Sequence, residues 1–281
     1  MVSLRYFSPA ESLRALISSY YLFEVDAARM TDLLRAELAQ VRFILKGRLL
    51  SSFSGGPPID CPRAMLSGPT SGPVVFDVHG PLTVIGVGLM PAGWAALIGC
   101  GADELADKVA PLDALLGPMV TRTYERLANM RCAESIAPEL DTLFLTLADR
   151  ARRAPQWFTG ATDAWLTGSA SPQVDDLVAA TGVSARQVER LAKRYYGASP
   201  KLLARKYRTL QAAVRMGTGE APTWMDAAGD AFYDQPHFIR EFKQFVGMTP
   251  HRFAVDSAPV LRMTIERRRQ LPTMPKLALF S

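Results

Sequence analysis

The sequence is poor in the residues that build metal sites and hydrolytic active sites. Among its 281 residues there are three cysteines, at 61, 100 and 132, and three histidines, at 79, 237 and 251. The cysteines are far apart and match no zinc-binding spacing, and three histidines leave few candidates for a catalytic triad. The glycines at 86 and 88 lack the third glycine of a dinucleotide loop. We therefore expect no metal, no cofactor and no catalysis.

The sequence also lacks long apolar runs. No stretch reaches the 18 apolar residues that a membrane-spanning helix needs, and residues 1–10 show no secretion signal pattern. A sparse, odd set of cysteines is typical of a reducing compartment. We therefore expect a cytoplasmic protein that is not attached to a membrane.

Charge is divided unevenly along the chain, although the net charge is only +5. Residues 1–155 hold 15 basic and 16 acidic side chains. Residues 184–215 hold nine basic side chains and a single acidic one, Glu189. A neutral half joined to a locally basic half indicates two domains, the second with a polyanionic partner such as nucleic acid.

The basic half contains one motif twice. Residues 184–200 align with residues 234–250 at an offset of fifty positions, which places Arg190 on Arg240. Lysines, glycines and prolines also coincide between the two copies. A duplication of this kind indicates one structural unit that is used twice.

Each copy has the start and stop signals of a short helix. Ser184 and Asp234 are good N-cap residues, and each copy ends at a glycine that a proline follows three residues later. A short apolar stripe precedes each copy, at 174–178 and at 224–228, as the first helix of a helix-turn-helix would. The sequence therefore predicts two helix-turn-helix units joined by a helix over 199–216.

Residues 157–253 resemble the tandem helix-turn-helix domain of the AraC/XylS family of transcription regulators. The resemblance is carried by DQPHFIREFK at 234–243, GMTPHRF at 247–253 and the weaker GASP at 197–200. The family usually has glycine where this chain has Ala231. An alanine there would cost about 1 kcal/mol if the turn required a positive φ.

The resemblance implies that the second helix of each unit enters a major groove, with the two grooves about 34 Å apart. Arg190 and Arg240 are suited to the paired acceptors of guanine, while Gln187, Gln235 and Glu189 could add direct readout of bases. The predicted phosphate contacts are Lys193, Arg194, Arg205, Lys206 and Lys243. The predicted DNA-binding residues are Ser184, Arg186, Gln187, Glu189, Arg190, Lys193, Arg194, Gln235, His237, Arg240 and Lys243.

The first half has the pattern of a small sheet followed by helices. Strands are predicted over 18–25, 41–46, 74–78 and 82–89, and helices over 92–98, 102–109 and 112–130. A turn at 79–81 is expected to separate the last two strands. The predicted fold is therefore an α+β N-terminal domain, with a small antiparallel β-sheet or barrel plus helices, followed by an all-α domain with two helix-turn-helix units.

This half resembles the uncharacterised, cupin-like sensor domain that precedes some AraC-type DNA-binding domains. The matching motifs are LSGP at 66–69, GVGLMPAGW at 86–94 and PLDALLG at 111–117. The resemblance implies control by a small-molecule effector. The candidate effector-binding residues are Phe76, His79 and Trp94, although the last two types are more often core or turn residues. The alternative is a constitutive DNA-binding protein whose N-terminal domain only dimerises or contacts a protein partner.

The predicted organisation is a sensor or dimerisation domain over 1–150, a linker over 151–156, a DNA-binding domain over 157–255 and a basic tail over 256–281. The tail is expected to be solvated and mostly disordered because of its arginine run and prolines. An apolar stripe over 136–147 is either core or a dimer seam. The expected partners are double-stranded DNA, a small-molecule effector, a second copy of the chain and RNA polymerase. Activation and repression both remain open.

Overall fold

The computed structural model describes residues 1–151, 153–221, 223–255 and 259–281. An antiparallel β-sheet with helices is followed by an all-helical region, so the predicted fold class is confirmed. The strands are β1 (Val2–Phe7), β2 (Ile17–Val25), β3 (Arg29–Leu34), β4 (Gln40–Phe53), β5 (Ile59–Asp60), β6 (Ala64–Ser67), β7 (Val74–Leu89) and β8 (Val109–Pro111).

The sheet has the strand order β1-β2-β7-β4-β6-β8, with β3 also paired to β7 and β5 to β4. The long strands β4 and β7 pair along most of their length, and their ladder is interrupted by bulges near Lys46. Gly47 has a φ of +80° there, and a Cβ on it would lie 2.6 Å from the carbonyl oxygen of Pro81. Because bulges bend a sheet, the paired strands β4 and β7 bend together at Pro81.

The predicted turn at 79–81 is therefore wrong, because β7 is one continuous, bent strand. His79 pairs with Arg48 on one side and with Arg29 on the other. Pro81 lies in the interruption of the β4–β7 ladder, where its missing N–H costs no ladder hydrogen bond. The Gly80-Pro81 pair in the sequence indicated an interruption of the strand pattern. In the structure this interruption is a bend within β7.

Four helices follow or flank the sheet: α1 (Pro91–Leu97), α2 (Leu112–Leu116), α3 (Met119–Ala128) and α4 (Ile136–Asp149). The helix predicted over 112–130 is divided at Gly117 and Pro118. The helix predicted over 102–109 is wrong, because this segment follows the sheet edge in turns and enters β8. Asp107 has a positive φ there and accepts a hydrogen bond from the amide of Ser71 at 2.8 Å.

The apolar stripe of α4 is core. Ile136, Leu140, Leu143 and Phe144 are buried in one cluster with residues of the sheet and of α1. The alternative of a dimer seam on this stripe is therefore wrong, since these side chains are already covered within one chain.

The helical region consists of α5 (Gln156–Gly168), α6 (Val174–Thr181), α7 (Ala185–Tyr196), α8 (Pro200–Gly217), α9 (Trp224–Ala228), α10 (Gln235–Val246) and α11 (Pro250–Val255). Helices α6 and α7 form the first helix-turn-helix unit, α9 and α10 form the second, and α8 joins them. Gly229 supplies the positive φ in the turn before α10, and Ala231 is not among the described residues with positive φ. The expected cost of an alanine at 231 therefore does not arise.

The expectation of a disordered tail is wrong for residues 259–281, while residues 256–258 lie outside the described residues. The C-terminal segment (residues 259–281) forms α12 (Pro259–Arg269) and α13 (Lys276–Phe280). Leu261, Ile265 and Leu277 are buried against the helical region, and Arg268 is buried as well. The arginine run suggested a solvated chain, but its middle member pairs inside the protein. Among the described residues, no helix combines the length and apolar character needed to cross a membrane.

Candidate nucleic-acid interface and N-terminal cavity

Helix α7 has one buried face and one face of long polar side chains. The Ser184 hydroxyl accepts a hydrogen bond from the amide of Gln187, which fixes the start of the helix, and Gly197 ends it with a left-handed conformation. Val188 and Leu191 are buried against α5, α6 and α8. The exposed polar residues of α7 are Arg186, Gln187, Glu189, Arg190, Lys193 and Arg194. The six predicted side chains therefore lie together on the free surface of the helix.

The only acidic group on this surface is paired within the helix. Lys193 Nζ lies 2.8 Å from Glu189 Oε1, and this contact raises the pKa of Lys193. Arg190 has no ion-pair partner among the described residues. Repulsion of phosphate by Glu189 is therefore reduced by its neighbour, and Arg190 remains available to an outside acceptor.

Helix α10 repeats the arrangement fifty residues later. Asp234 Oδ1 accepts from the amide of His237 at 2.7 Å, and Gly247 ends the helix with a φ of 90°. Phenylalanines at 238, 242 and 245 are fully buried. Gln235, Arg240 and Lys243 are exposed, whereas His237 is partly buried with its ring 5.7 Å from that of Phe232. The outer face of α10 is thus smaller than that of α7, but Arg240 occupies the position of Arg190.

Two residues of α8 that were predicted to contact phosphate, Arg205 and Lys206, bond to other groups of the same chain. Arg205 Nη2 lies 2.7 Å from Glu241 Oε1 and keeps about a third of its side chain exposed. Lys206 is buried, and its Nζ donates to the carbonyl oxygens of Glu37 and Thr70 at 2.8 Å each. Burial lowers the pKa of Lys206 to about 7. The prediction of a phosphate contact is therefore wrong for Lys206, because its amino group joins α8 to the N-terminal domain.

The N-terminal sheet and α12 line a cavity of about 60 Å³. Its walls are mostly apolar and include Phe76 of the three candidate effector-binding residues, but neither His79 nor Trp94. His79 lies at the bend of β7, and Trp94 is core, with its indole N–H donating to the Cys100 carbonyl at 3.0 Å. The cavity is lined by Leu4, Tyr6, Tyr21, Phe23, Leu34, Glu37, Arg42, Leu49, Ser51, Val74, Phe76, Leu82, Val84, Val260, Thr264 and Arg268.

One carboxylate faces two guanidinium groups at the polar end of this cavity. Glu37 Oε2 accepts from Arg42 at 3.0 Å, and Glu37 Oε1 accepts from Arg268 at 3.1 Å. Each arginine also donates to a tyrosine hydroxyl, Arg42 to Tyr21 and Arg268 to Tyr6. Burial raises the pKa of Tyr21, so its hydroxyl stays neutral. The polar end therefore carries an excess of positive charge inside an apolar wall.

Sequence reasoning did not find this cluster. Glu37 and Arg268 are 231 positions apart, and no local spacing connects them. Glu37 lies between two predicted strands, but nothing in the sequence indicates that its side chain is buried.

Two family models match the chain. Residues 177–255 match a helix-turn-helix domain (HTH_18), and residues 5–111 match a domain of unknown function (DUF6597). No curated protein sequence matches the chain.

Similar solved structures include ToxT from Vibrio cholerae, with 10% identity, 84% of this chain and 97% of that chain covered, and a TM-score of 0.49. A second is ToxT from Vibrio cholerae O395 bound to (E)-4-(8-methylnaphthalen-1-yl)but-3-enoic acid, with 9% identity, 83% and 96% covered and a TM-score of 0.49. A third is a cupin superfamily protein from Desulfitobacterium hafniense, with 13% identity, 32% and 77% covered and a TM-score of 0.25.

Proposed function

We propose that this chain, a member of the AraC family of DNA-binding transcription regulators, reads a specific DNA site with α7 and α10 under the control of a small molecule in its N-terminal cavity. Association with a second copy of the chain and contact with RNA polymerase remain predictions. So do the domain boundaries at 150 and 157.

The observation that carries DNA reading is the equivalence of Arg190 and Arg240. Both are exposed on the second helix of a unit, at the same distance from an N-cap residue. Neither has a carboxylate partner among the described residues, in contrast to Arg205 beside Glu241. An arginine in this position can donate two hydrogen bonds to O6 and N7 of guanine in the major groove. Two such helices on one rigid chain would read two successive segments of a site.

Selection from a random duplex library with the full chain tests this function. We expect the enriched site to contain two conserved segments whose centres lie about 10 base pairs, or one turn, apart. Affinity for the enriched site should also fall steeply with rising salt, because Lys193 and Lys243 would release counterions from phosphates. Failure to enrich any sequence over the starting library would contradict specific reading.

The cavity supports control by a ligand with an apolar body and a single anionic group. The walls include Phe23 and Phe76, which can pack against an apolar body. At the polar end the carboxylate of Glu37 is shared by Arg42 and Arg268, so one further negative charge would complete the pairing. A neutral or cationic ligand would leave that excess charge buried and unpaired.

The fluorescent probe 8-anilino-1-naphthalenesulfonate has this chemistry and tests the cavity directly. Arg42→Gln should lower the probe affinity by about 10- to 100-fold, since hydrogen bonds to charged groups contribute about 1.5–3 kcal/mol. Arg48→Gln is the matched control, because Arg48 lies on the same strand but pairs with Asp60 on the surface. Equal affinities of wild type, Arg42→Gln and Arg48→Gln would favour the alternative, a constitutive DNA binder whose N-terminal domain serves dimerisation or a protein contact.

A further inference from the structure

Helix α12 belongs at once to the cavity wall and to the core of the second helix-turn-helix unit. Val260, Thr264 and Arg268 follow one another at intervals of four residues and line the cavity. Leu261 and Ile265 lie on the neighbouring face and are fully buried in the core cluster that also contains the phenylalanines of α10 and α11. A displacement of α12 would therefore change the cavity and the packing of the second unit together.

Close approach of α8 adds to this shared packing. A Cβ at Gly217, in the last turn of α8, would lie 3.2 Å from Ile265 Cδ1 and 3.3 Å from Phe253 Cζ. The last turn of α8 is therefore held against α12 with little free space at Gly217. Because packed helices move as units with few alternative arrangements, α12 has limited freedom to shift without α8.

Helix α13 extends the connection to the first unit. Leu277 and Ala278 are buried in the cluster that contains Phe158 of α5 and Val188 of α7. Arg268 Nη1 donates to the carbonyl oxygen of Ala278 at 3.1 Å, so the cavity arginine also holds α13. The C-terminal segment thus contacts the cores of both units, and Arg268 joins its two helices.

A second buried arginine fixes the segment to the N-terminal domain. Arg35 donates to Thr264 Oγ1 of α12 at 2.9 Å and to the carbonyl oxygen of Phe280 in α13 at 2.9 Å. The carboxylate of Asp32 accepts from the amide of Val260 at 2.9 Å, at the start of α12. These bonds come from the loop between β3 and β4 and from β3 itself, next to Glu37. The segment is therefore attached to the same part of the domain that forms the polar end of the cavity.

We propose that the C-terminal segment transmits occupancy of the cavity to both helix-turn-helix units, with Arg268 as the positioning residue. The inference rests on the proposed function, because it requires a ligand in the cavity. An anionic group bound between Arg42 and Arg268 pairs with the positive charge that Glu37 leaves uncompensated. This new contact alters the contact between Arg268 and Ala278 and shifts α12 against the core that it shares with α10. A ligand changes DNA affinity only as far as it binds the two arrangements with different affinity.

The test measures probe binding and DNA binding separately on the full chain. Probe emission gives the affinity of 8-anilino-1-naphthalenesulfonate for the protein, and anisotropy of a duplex with a red dye gives DNA affinity with and without saturating probe. In the wild type we expect the probe to change DNA affinity by about 5- to 150-fold, the usual range of coupling between two sites. With Arg268→Gln, saturated with probe, the change should fall below about twofold.

Arg269→Gln is the matched control. Arg269 is the next residue on α12, but its partner is Glu220 on the surface, at 2.9 Å. This variant should keep the wild-type response. An undiminished response in Arg268→Gln, or an equal loss in Arg269→Gln, would overturn transmission through Arg268.

The remaining outcomes separate this inference from the proposed function. Absence of probe binding in the wild type would contradict effector control itself. Probe binding without any change in DNA affinity would leave the ligand site standing and overturn the transmission. Should Arg268→Gln fail to fold, hydrogen exchange of wild-type amides decides the question. Saturating probe should alter protection in α12 and α13, and unchanged protection there would overturn the inference.

Discussion

The backbone amide of Ala102 donates to the carbonyl oxygen of Arg194 at 2.8 Å and so joins the N-terminal domain to the last turn of α7. Helix α10 is held in the same way, because the amide of Ala36 donates to the carbonyl oxygen of Phe245 at 2.8 Å. Carbonyl groups in the last turn of a helix have no partner within it. The N-terminal domain therefore contacts α7 and α10 at their C-terminal ends, and the first residues of both helices stay exposed.

Gly197 and Gly247, which end α7 and α10, lie at the same junctions with the N-terminal domain. A Cβ at Gly197 would lie 2.6 Å from Pro69 Cγ, and a Cβ at Gly247 would lie 2.9 Å from both Leu33 Cδ2 and Pro73 Cβ. Glycine is therefore required at each of these two positions for two reasons, its positive φ and the close approach of the N-terminal domain.

Gly197→Ala should destabilise the protein more than Gly182→Ala does. Both glycines have a positive φ, so each alanine should cost about 1–2 kcal/mol through the backbone. Nothing lies within 4 Å of a Cβ at Gly182, whereas one at Gly197 meets Pro69, which adds about 1–3 kcal/mol of overpacking. Urea denaturation of both variants measures the difference. Equal free energies of unfolding would mean that the junction at Gly197 is not closed in solution.

Helices α7 and α10 illustrate what the sequence could predict. Ser184 and Asp234 cap the helices as expected, and Gly197 and Gly247 end them, because caps depend on interactions within a few residues. The sequence also predicted which face of α7 is exposed, since Val188 and Leu191 keep helical spacing.

The missed features depend on contacts between distant parts of the chain. Lys206 has the spacing of a surface lysine on α8, but the chain folds so that the carbonyl groups of Glu37 and Thr70 enclose its amino group. Arg268 lies in an arginine run that reads as a solvated tail, and its burial depends on Glu37, 231 positions earlier. Local patterns carry no information on such pairs, so the C-terminal segment and the polar end of the cavity were not predictable.

Leu140→Ala should destabilise the protein without changing its association state. Leu140 is fully buried in the core of the N-terminal domain, and a truncation of this kind typically costs about 2–5 kcal/mol. Leu145→Ala, on the exposed face of the same helix, is the control and should stay within about 0.5 kcal/mol of the wild type. Thermal unfolding and sedimentation give both quantities. A lower mass of folded Leu140→Ala would show that α4 carries a subunit contact after all.

The stability of the protein should rise with pH above neutrality because of Lys206. Burial lowers the pKa of Lys206 from 10.5 to about 7 in the folded chain, so between these values the unfolded chain binds the extra proton. The free energy of unfolding then increases by about 1.4 kcal/mol per pH unit. This pH dependence disappears below pH 7, where Lys206 is protonated in both the folded and the unfolded chain.

Lys206→Met removes this titration and serves as the comparison. The difference in free energy of unfolding between wild type and Lys206→Met should change by about 2 kcal/mol between pH 7.5 and 9, in favour of the wild type at the higher pH. Denaturation midpoints at several pH values measure it. Parallel pH profiles would mean that the amino group titrates alike in the folded and unfolded chains.

The most direct test of the account is the DNA affinity of Arg190→Ala and Arg240→Ala on two duplexes, the site enriched by selection and a scrambled version. Each variant should lose about 1–3 kcal/mol on the selected site and relax its base preference at one position, with a much smaller loss on the scrambled duplex. Arg122→Ala, which removes an equal charge from the exposed surface of α3, should bind both duplexes like the wild type. Fluorescence titration at fixed salt gives all values. Equal losses on both duplexes would contradict base reading by these two arginines and assign them to phosphates.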